Sequence, residues 1–62
     1  MNDIEYLNQW LLSLSLSEYS QAFLDHHIEP WMLPKLADAD LKDIGFISVG
    51  HRKRLLNSIA QS

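Results

Sequence analysis

The sequence contains no cysteine, so neither disulfide bonds nor thiolate metal sites are available to it. That composition is typical of cytoplasmic proteins, and we expect this protein to act there. No apolar run approaches the roughly 18 residues of a membrane span, and no basic segment precedes an apolar stretch as in a signal peptide. Because the only glycines are Gly45 and Gly50, a glycine-rich phosphate-binding loop is also excluded.

The residues that could carry catalysis or bind metals are poorly arranged for either task. His26 and His27 are adjacent, so on a helix they point about a quarter-turn or more apart, and His51 is far along the chain. The acidic stretch 38–43 lacks the glycine and distal glutamate of a calcium loop. A chain of 62 residues rarely encloses an active-site cleft. We therefore predict a protein that is not an enzyme and holds no metal or cofactor.

The net charge of −3 is distributed unevenly along the chain. Residues 1–47 hold all eight acids and two lysines, which gives −6, whereas residues 48–62 hold three basic residues and no acid, which gives +3. The acidic part argues against general affinity for nucleic acid. The segregation predicts a molecule with one acidic and one basic patch.

The spacing of apolar residues predicts five short helices, of which the first two fall in the N-terminal half. The first runs from about Asp3, its N-cap, to Ser13. A capping box of Ser15 and Glu18 begins the second, with Ser17 as the rival cap.

The remaining three helices are punctuated by proline, aspartate and glycine. Pro30 suits the first position of the third helix, and Pro34 limits that helix to a turn or two. Asp38 is the expected N-cap of the fourth. Gly45 ends it in the left-handed conformation, and Ser48 caps the fifth and longest helix.

The apolar positions predict an all-α, compact five-helix bundle over residues 1–62, with its core between about 4 and 60. Trp31 is either an exposed interface anchor or packs on the neighbouring loop, and Ile47 has no evident place. The residues expected to point inward are Ile4, Leu7, Trp10, Leu11, Leu14, Tyr19, Phe23, Ile28, Leu33, Leu36, Leu41, Ile44, Phe46, Val49, Leu55, Leu56, Ile59 and Ala60.

The basic cluster Arg52, Lys53 and Arg54 lies in the first turns of the fifth helix, at the end where the helix dipole disfavours positive charge. Cations in the first turns oppose the helix dipole at a cost of roughly 0.3–1 kcal/mol each. No acid lies four residues before or after them, so pairing within the helix does not offset that cost. Either tertiary neighbours supply acids or the cluster is kept free for a partner. An ordinary solvated basic face explains the charges equally well.

The order of these features resembles the sterile alpha motif (SAM) domain over about residues 4–60. The most specific part is the joint from Asp40 to Leu56, in register with the upstream pattern. The compact Leu-Pro-x-Leu segment of the short third helix, residues 33–36, resembles that of SAM domains at the N-termini of bacterial multidomain signalling proteins such as nucleotide cyclases. The residues that carry the resemblance are Trp10, Leu11, Leu14, Leu16, Tyr19, Phe23, Ile28, Leu33, Leu36, Asp40, Leu41, Ile44, Gly45, Phe46, Gly50, His51, Arg52, Leu55, Leu56 and Ile59.

The resemblance implies a protein-interaction module that binds itself or another SAM domain, head to tail, through two surfaces. The end-helix surface would comprise Gly50, His51, Arg52, Lys53 and Arg54, with Ile47 or Val49 as apolar neighbours. The mid-loop surface would comprise Asp25, Glu29, Trp31, Asp38, Asp40 and Asp43. We expect salt-sensitive association of moderate strength, which Arg52→Glu or Arg54→Glu should abolish without unfolding the domain.

Two other functions stay open. Some SAM domains bind RNA hairpins through a basic surface around the fifth helix, although a net charge of −3 with only five basic residues argues against a phosphate-binding patch here. The domain could also act as a monomer that docks a partner outside the SAM family, such as a kinase or receptor tail.

Overall fold

The computed structural model describes residues 2–61, which form four α-helices and two short 3-10 helices. The five predicted helices are confirmed, the second and third being partly or wholly 3-10, and the C-terminal helix is the longest. The elements are α1 (Asp3–Ser13), a first 3-10 helix (Ser17–Tyr19) that runs directly into α2 (Ser20–Asp25), a second 3-10 helix (Pro30–Lys35), α3 (Asp38–Asp43) and α4 (Val49–Ala60).

The packing divides the bundle into two halves. The first 3-10 helix and α2 pack on α1, α3 packs on α4, and the second 3-10 helix contacts both α1 and α4. Side chains from all of these segments meet in one core. Its buried members are Leu7, Leu11, Leu16, Phe23, Leu33, Leu41, Phe46 and Leu55.

Most of the predicted core is confirmed, and Trp10 is partly buried against it. Ile4, Val49 and Ala60 are exposed instead, because they lie in the first or last turns of α1 and α4, where the helix end extends beyond the core. Both residues left unassigned by the sequence, Trp31 and Ile47, are exposed.

Three helices end in the same left-handed turn. Ser15, His27 and Gly45 have φ angles of 61°, 56° and 117°. At each, the next residue donates its N–H to the carbonyl five positions earlier, as in a Schellman motif. These hydrogen bonds join Leu16 to Leu11 (2.8 Å), Ile28 to Phe23 (2.9 Å) and Phe46 to Leu41 (2.9 Å). The turn therefore returns an apolar side chain to the core three times.

The predicted N-caps are correct for only one of the first, fourth and fifth helices. Ser48 caps α4, its Oγ accepting from the His51 N–H at 3.3 Å. Asn2 rather than Asp3 caps α1, its Oδ1 accepting from the Glu5 N–H at 2.8 Å. Asn2 is the N-cap because its backbone is extended, as a cap requires, whereas Asp3 is already helical.

The capping box predicted for Ser15 and Glu18 is also wrong. Ser15 occupies the left-handed position that ends α1, and Leu16 precedes the first 3-10 helix without a side-chain cap. Burial of Leu16 in the core fixes this turn and takes Ser15 out of the N-cap position. In α3, Ala37 is the cap residue and Asp38 the first helical residue, while the Asp40 Oδ2 accepts from the Ala37 N–H at 2.9 Å.

Candidate functional site

Arg52 is buried, with 6% of its surface exposed. Its Nε donates to Asp38 Oδ1 at 2.8 Å, and its Nη1 donates to the carbonyls of Phe46 (2.8 Å) and Ile47 (2.9 Å). One guanidinium thereby fastens the start of α3, the joint before α4 and α4 itself. A tertiary acid offsets this cation, which decides one of the alternatives that the sequence left open.

This burial corrects the part expected of Arg52 in the end-helix surface. A buried guanidinium with three intramolecular acceptors cannot be reversed to glutamate without loss of stability, so Arg52→Glu is not a clean test of association. Its partner Asp38 keeps about half of its side chain exposed, at 54%, but is already paired.

His51 packs inward from the first turn of α4. Its Nδ1 lies 2.5 Å from the Tyr19 hydroxyl, in a hydrogen bond whose direction follows the tautomer of His51. The Tyr19 ring stacks on the Phe46 ring with centroids 3.7 Å apart. The Tyr19 and His51 rings form a T-shaped contact, with 78° between their planes. Burial, followed by the Glu18 carboxylate, raises the pKa of Tyr19 above its usual value of 10.0. Tyr19 therefore stays protonated at neutral pH.

The exposed part of the end-helix surface is apolar as well as basic. Ile47, on the joint, is 87% exposed, and Val49 next to it is also exposed. Lys53 stands one helical turn after Val49, so it lies on the same face, and it is exposed. Arg54 is exposed, although its Nη1 donates to the Leu14 carbonyl at 3.2 Å. Gly50 leaves the helix start open, since a Cβ there would meet only Ser48 Oγ, at 3.8 Å.

The predicted mid-loop residues come from α2, the second 3-10 helix with the residue before it, and α3. Asp25 ends α2, where its Oδ1 accepts from Gln21 Nε2 at 2.8 Å. Glu29 precedes the second 3-10 helix, and Trp31 stands on it with 61% of its surface exposed. Asp43 ends α3. These acids thus lie on α2, at the start of the second 3-10 helix and on α3, and their action as one surface stays a prediction.

The described residues contain neither a metal-binding cluster nor a membrane-spanning helix. No three histidines or carboxylates within residues 2–61 are grouped closely enough to hold a metal ion. Across that same stretch, no helix has the length and hydropathy to cross a membrane.

Sequence patterns missed two features of this site. The role of Arg52 depends on Asp38, 14 residues away, and no local spacing reveals such a pair. The link between Tyr19 and His51 spans 32 residues. The one sequence signal for both is the concentration of basic residues at the start of α4, where the helix dipole opposes positive charge and so favours tertiary partners.

Comparison with known protein families identifies the family to which this fold belongs. The chain matches the family model for the SAM domain (sterile alpha motif) over residues 1–61. The chain belongs to the SAM domain family. SAM domains are in general protein–protein interaction modules without catalytic activity of their own.

Two relatives contain a similar segment within much longer proteins. It is 42% identical over 52 residues to SH3 and multiple ankyrin repeat domains protein 2 of Homo sapiens, covering 84% of this chain and 3% of that protein. It is 46% identical over 50 residues to diacylglycerol kinase eta of Drosophila melanogaster, covering 81% and 3%. The chain thus spans about 3% of the length of the curated relatives it matches.

Proposed function

We propose that this SAM domain associates head to tail with another SAM domain, a second copy of itself or a related one, through its end-helix surface. The observation that carries the proposal is the exposure of Ile47 beside Val49 and Lys53. An isoleucine that is 87% exposed contributes nothing to the monomer's core, and burying it in a partner is favourable by about 25 cal/mol per Å² of apolar surface.

The acidic half of the same chain supplies a complementary surface. Within residues 2–61 the Arg52–Asp38 contact is the ion pair that the structure contains, so Asp25, Glu29 and Asp43 have no cationic partner. Trp31 is exposed near Glu29 and offers a large aromatic contact. Opposite charges at the rim of such a contact steer encounter and make it salt-sensitive, while buried apolar groups supply most of the affinity.

Two different surfaces on one molecule produce a heterologous contact. Each copy then offers one free donor surface and one free acceptor surface, so assembly grows into a filament unless the rotation between copies closes a ring. The dipole cost of the remaining cations, Lys53 and Arg54, is offset when a partner's carboxylates approach them.

Sedimentation velocity over a wide range of protein concentration, at low and at physiological salt, tests this proposal. We expect species that grow with concentration and shrink as salt is added. Lys53→Glu should shift association to higher concentration, whereas Lys35→Glu, the same charge change on the second 3-10 helix, should not. A monomer at every concentration and in both salts would refute self-association and favour a partner outside this chain.

A salt-sensitive stop at one small oligomer would instead indicate a closed ring. The RNA-hairpin alternative is weakened by the burial of Arg52, since only Lys53 and Arg54 of the basic cluster are left to contact phosphates.

The proposal places the domain, residues 1–62 with its core at about 4–60, in a cytoplasmic signalling protein. The cysteine-free composition and the similarity to a kinase support that placement. The narrower resemblance to bacterial signalling proteins stays a prediction.

A further inference from the structure

An apolar groove lies between the first two turns of α1 on one side and α2 with the segment that follows it, residues 27–29, on the other. Its volume is about 270 Å³. Leu7 and Phe23, which line it, are buried, and Ile4 and Leu24 line it from the two helices while remaining 52% and 50% exposed. Two large apolar side chains therefore face solvent together beside a preformed concavity, which is the arrangement of a binding groove.

The surroundings of this groove are acidic. Asp3 and Glu29 are the charged residues that line it, and His27 is the other titratable one. Residues 1–34 contain five acids and neither lysine nor arginine, and within residues 2–61 neither Asp3 nor Glu29 forms an ion pair. An apolar floor under a negative rim is complementary to an apolar side chain that is accompanied by a cation.

We propose that this groove receives Ile47 of a second copy of the chain, with Lys53 of that copy facing Asp3 and Glu29. This inference rests on the proposed function and deepens it, because it places the apolar centre of the contact on the α1–α2 half of the acceptor. Ile47 is the most exposed of the large apolar residues described, and Lys53 lies on the adjoining face of α4.

The two other receiving surfaces fit this occupant less well. On α3, Asp38 is held by Arg52 and Asp40 by the Ala37 N–H, and its exposed positions include no large apolar side chain. A second cavity of about 280 Å³ lies between Trp10 and Pro34, but none of its lining residues is acidic. Neither surface combines an apolar concavity with free carboxylates.

Three matched glutamate substitutions test the groove by sedimentation velocity. Ile47→Glu removes the donor, Leu24→Glu blocks the groove, and Leu12→Glu places the same charge on an exposed leucine of α1 that does not line it. We expect the first two to weaken self-association at least about tenfold and the third to match the unsubstituted chain. An equimolar mixture of Ile47→Glu and Leu24→Glu should form a dimer and nothing larger, because each copy keeps one intact surface.

The outcomes separate this inference from the function on which it rests. If Ile47→Glu is monomeric while Leu24→Glu assembles normally, the groove is not the acceptor and head-to-tail association stands. If Asp43→Lys abolishes assembly and Leu24→Glu does not, the acceptor is α3. If Ile47→Glu assembles normally, both proposals are wrong. Circular dichroism confirms that each variant is folded, and Ile4→Glu replaces Leu24→Glu should the latter unfold.

Discussion

The Nε of Arg52 lies 2.8 Å from Oδ1 of Asp38, and this contact joins the first turns of α3 and α4. The same guanidinium holds the carbonyls of Phe46 and Ile47, so it fixes the joint that presents the exposed Ile47 side chain. A residue that charge alone assigns to a partner surface is thus part of the fold, and the surface is built upon it.

This geometry predicts unequal costs for removing the two members of the pair. Arg52→Ala leaves two joint carbonyls without a donor and should destabilise the domain by about 1–3 kcal/mol. Asp38→Ala should cost about 1 kcal/mol or less, because more than half of that side chain is exposed and screened by solvent. Urea unfolding measures both, with Lys53→Ala as the control that should cost no stability, because it removes a cation that opposes the helix dipole. Equal losses from Arg52→Ala and Asp38→Ala would show that the ion pair, rather than the carbonyl contacts, holds the joint.

The three left-handed helix ends predict stability changes of opposite sign. Gly45→Ala should destabilise the domain by about 1–2 kcal/mol, because a Cβ is strained at φ 117° even though the surrounding space is open. Ser15→Gly should stabilise it by about 0.5–1 kcal/mol, since glycine removes the strain of φ 61°. Thermal unfolding compares them. Destabilisation by Ser15→Gly would mean that the entropy of the unfolded chain outweighs relief of strain.

These helix ends also show how far the sequence determines the structure. Gly45 reveals its turn because glycine favours positive φ, whereas Ser15 and His27 adopt the same conformation without a compositional sign. In both, the strained turn is offset because the following residue packs in or against the core, and that packing is a property of the whole fold. Helix existence and the core stripe are local periodicities and could be predicted, but the choice of Asn2 over Asp3 as a cap could not.

The same distinction applies to the candidate site. Sequence alone located the basic helix start and the acidic half, because charge and order along the chain are enough for that. It could not separate Arg52, which turns inward, from Lys53, which stays in solvent, because the difference depends on an acid 14 residues away from Arg52. Nor could it find the groove between α1 and α2, which exists only once the two helices are packed.

The partial burial of Tyr19 predicts a loss of stability at alkaline pH. Burial and Glu18 raise its pKa in the folded state above 10.0, so the unfolded chain releases this proton first as the pH rises. The stabilisation is complete below the unfolded pKa and is lost as the pH climbs through the folded one. Tyr19→Phe should therefore show a shallower fall in melting temperature above about pH 10 than the unsubstituted chain. Parallel curves for the two proteins would contradict this account.

At neutral pH the same substitution has a separate effect. Tyr19→Phe retains the stacking on Phe46 but leaves His51 Nδ1 without its partner, at a cost of about 0.5–1.5 kcal/mol. Because the phenol stays protonated there, this loss reports the hydrogen bond alone. Urea unfolding at about pH 7 measures it, and a Tyr19→Phe variant as stable as the parent would show that water replaces the hydroxyl.

Gly50 allows folding and association to be separated by one methyl group. A Cβ at this position meets only Ser48 Oγ at 3.8 Å, an ordinary contact, and alanine is the better helix former by up to about 1 kcal/mol. Gly50→Ala should therefore leave the domain as stable as before or more so. If a partner approaches the start of α4 closely, the same methyl group should weaken assembly in sedimentation velocity, with Asn57→Ala on an exposed later turn of α4 as the matched control. Assembly that is unchanged by Gly50→Ala would place the partner on Ile47 and Lys53 without close contact to the helix start.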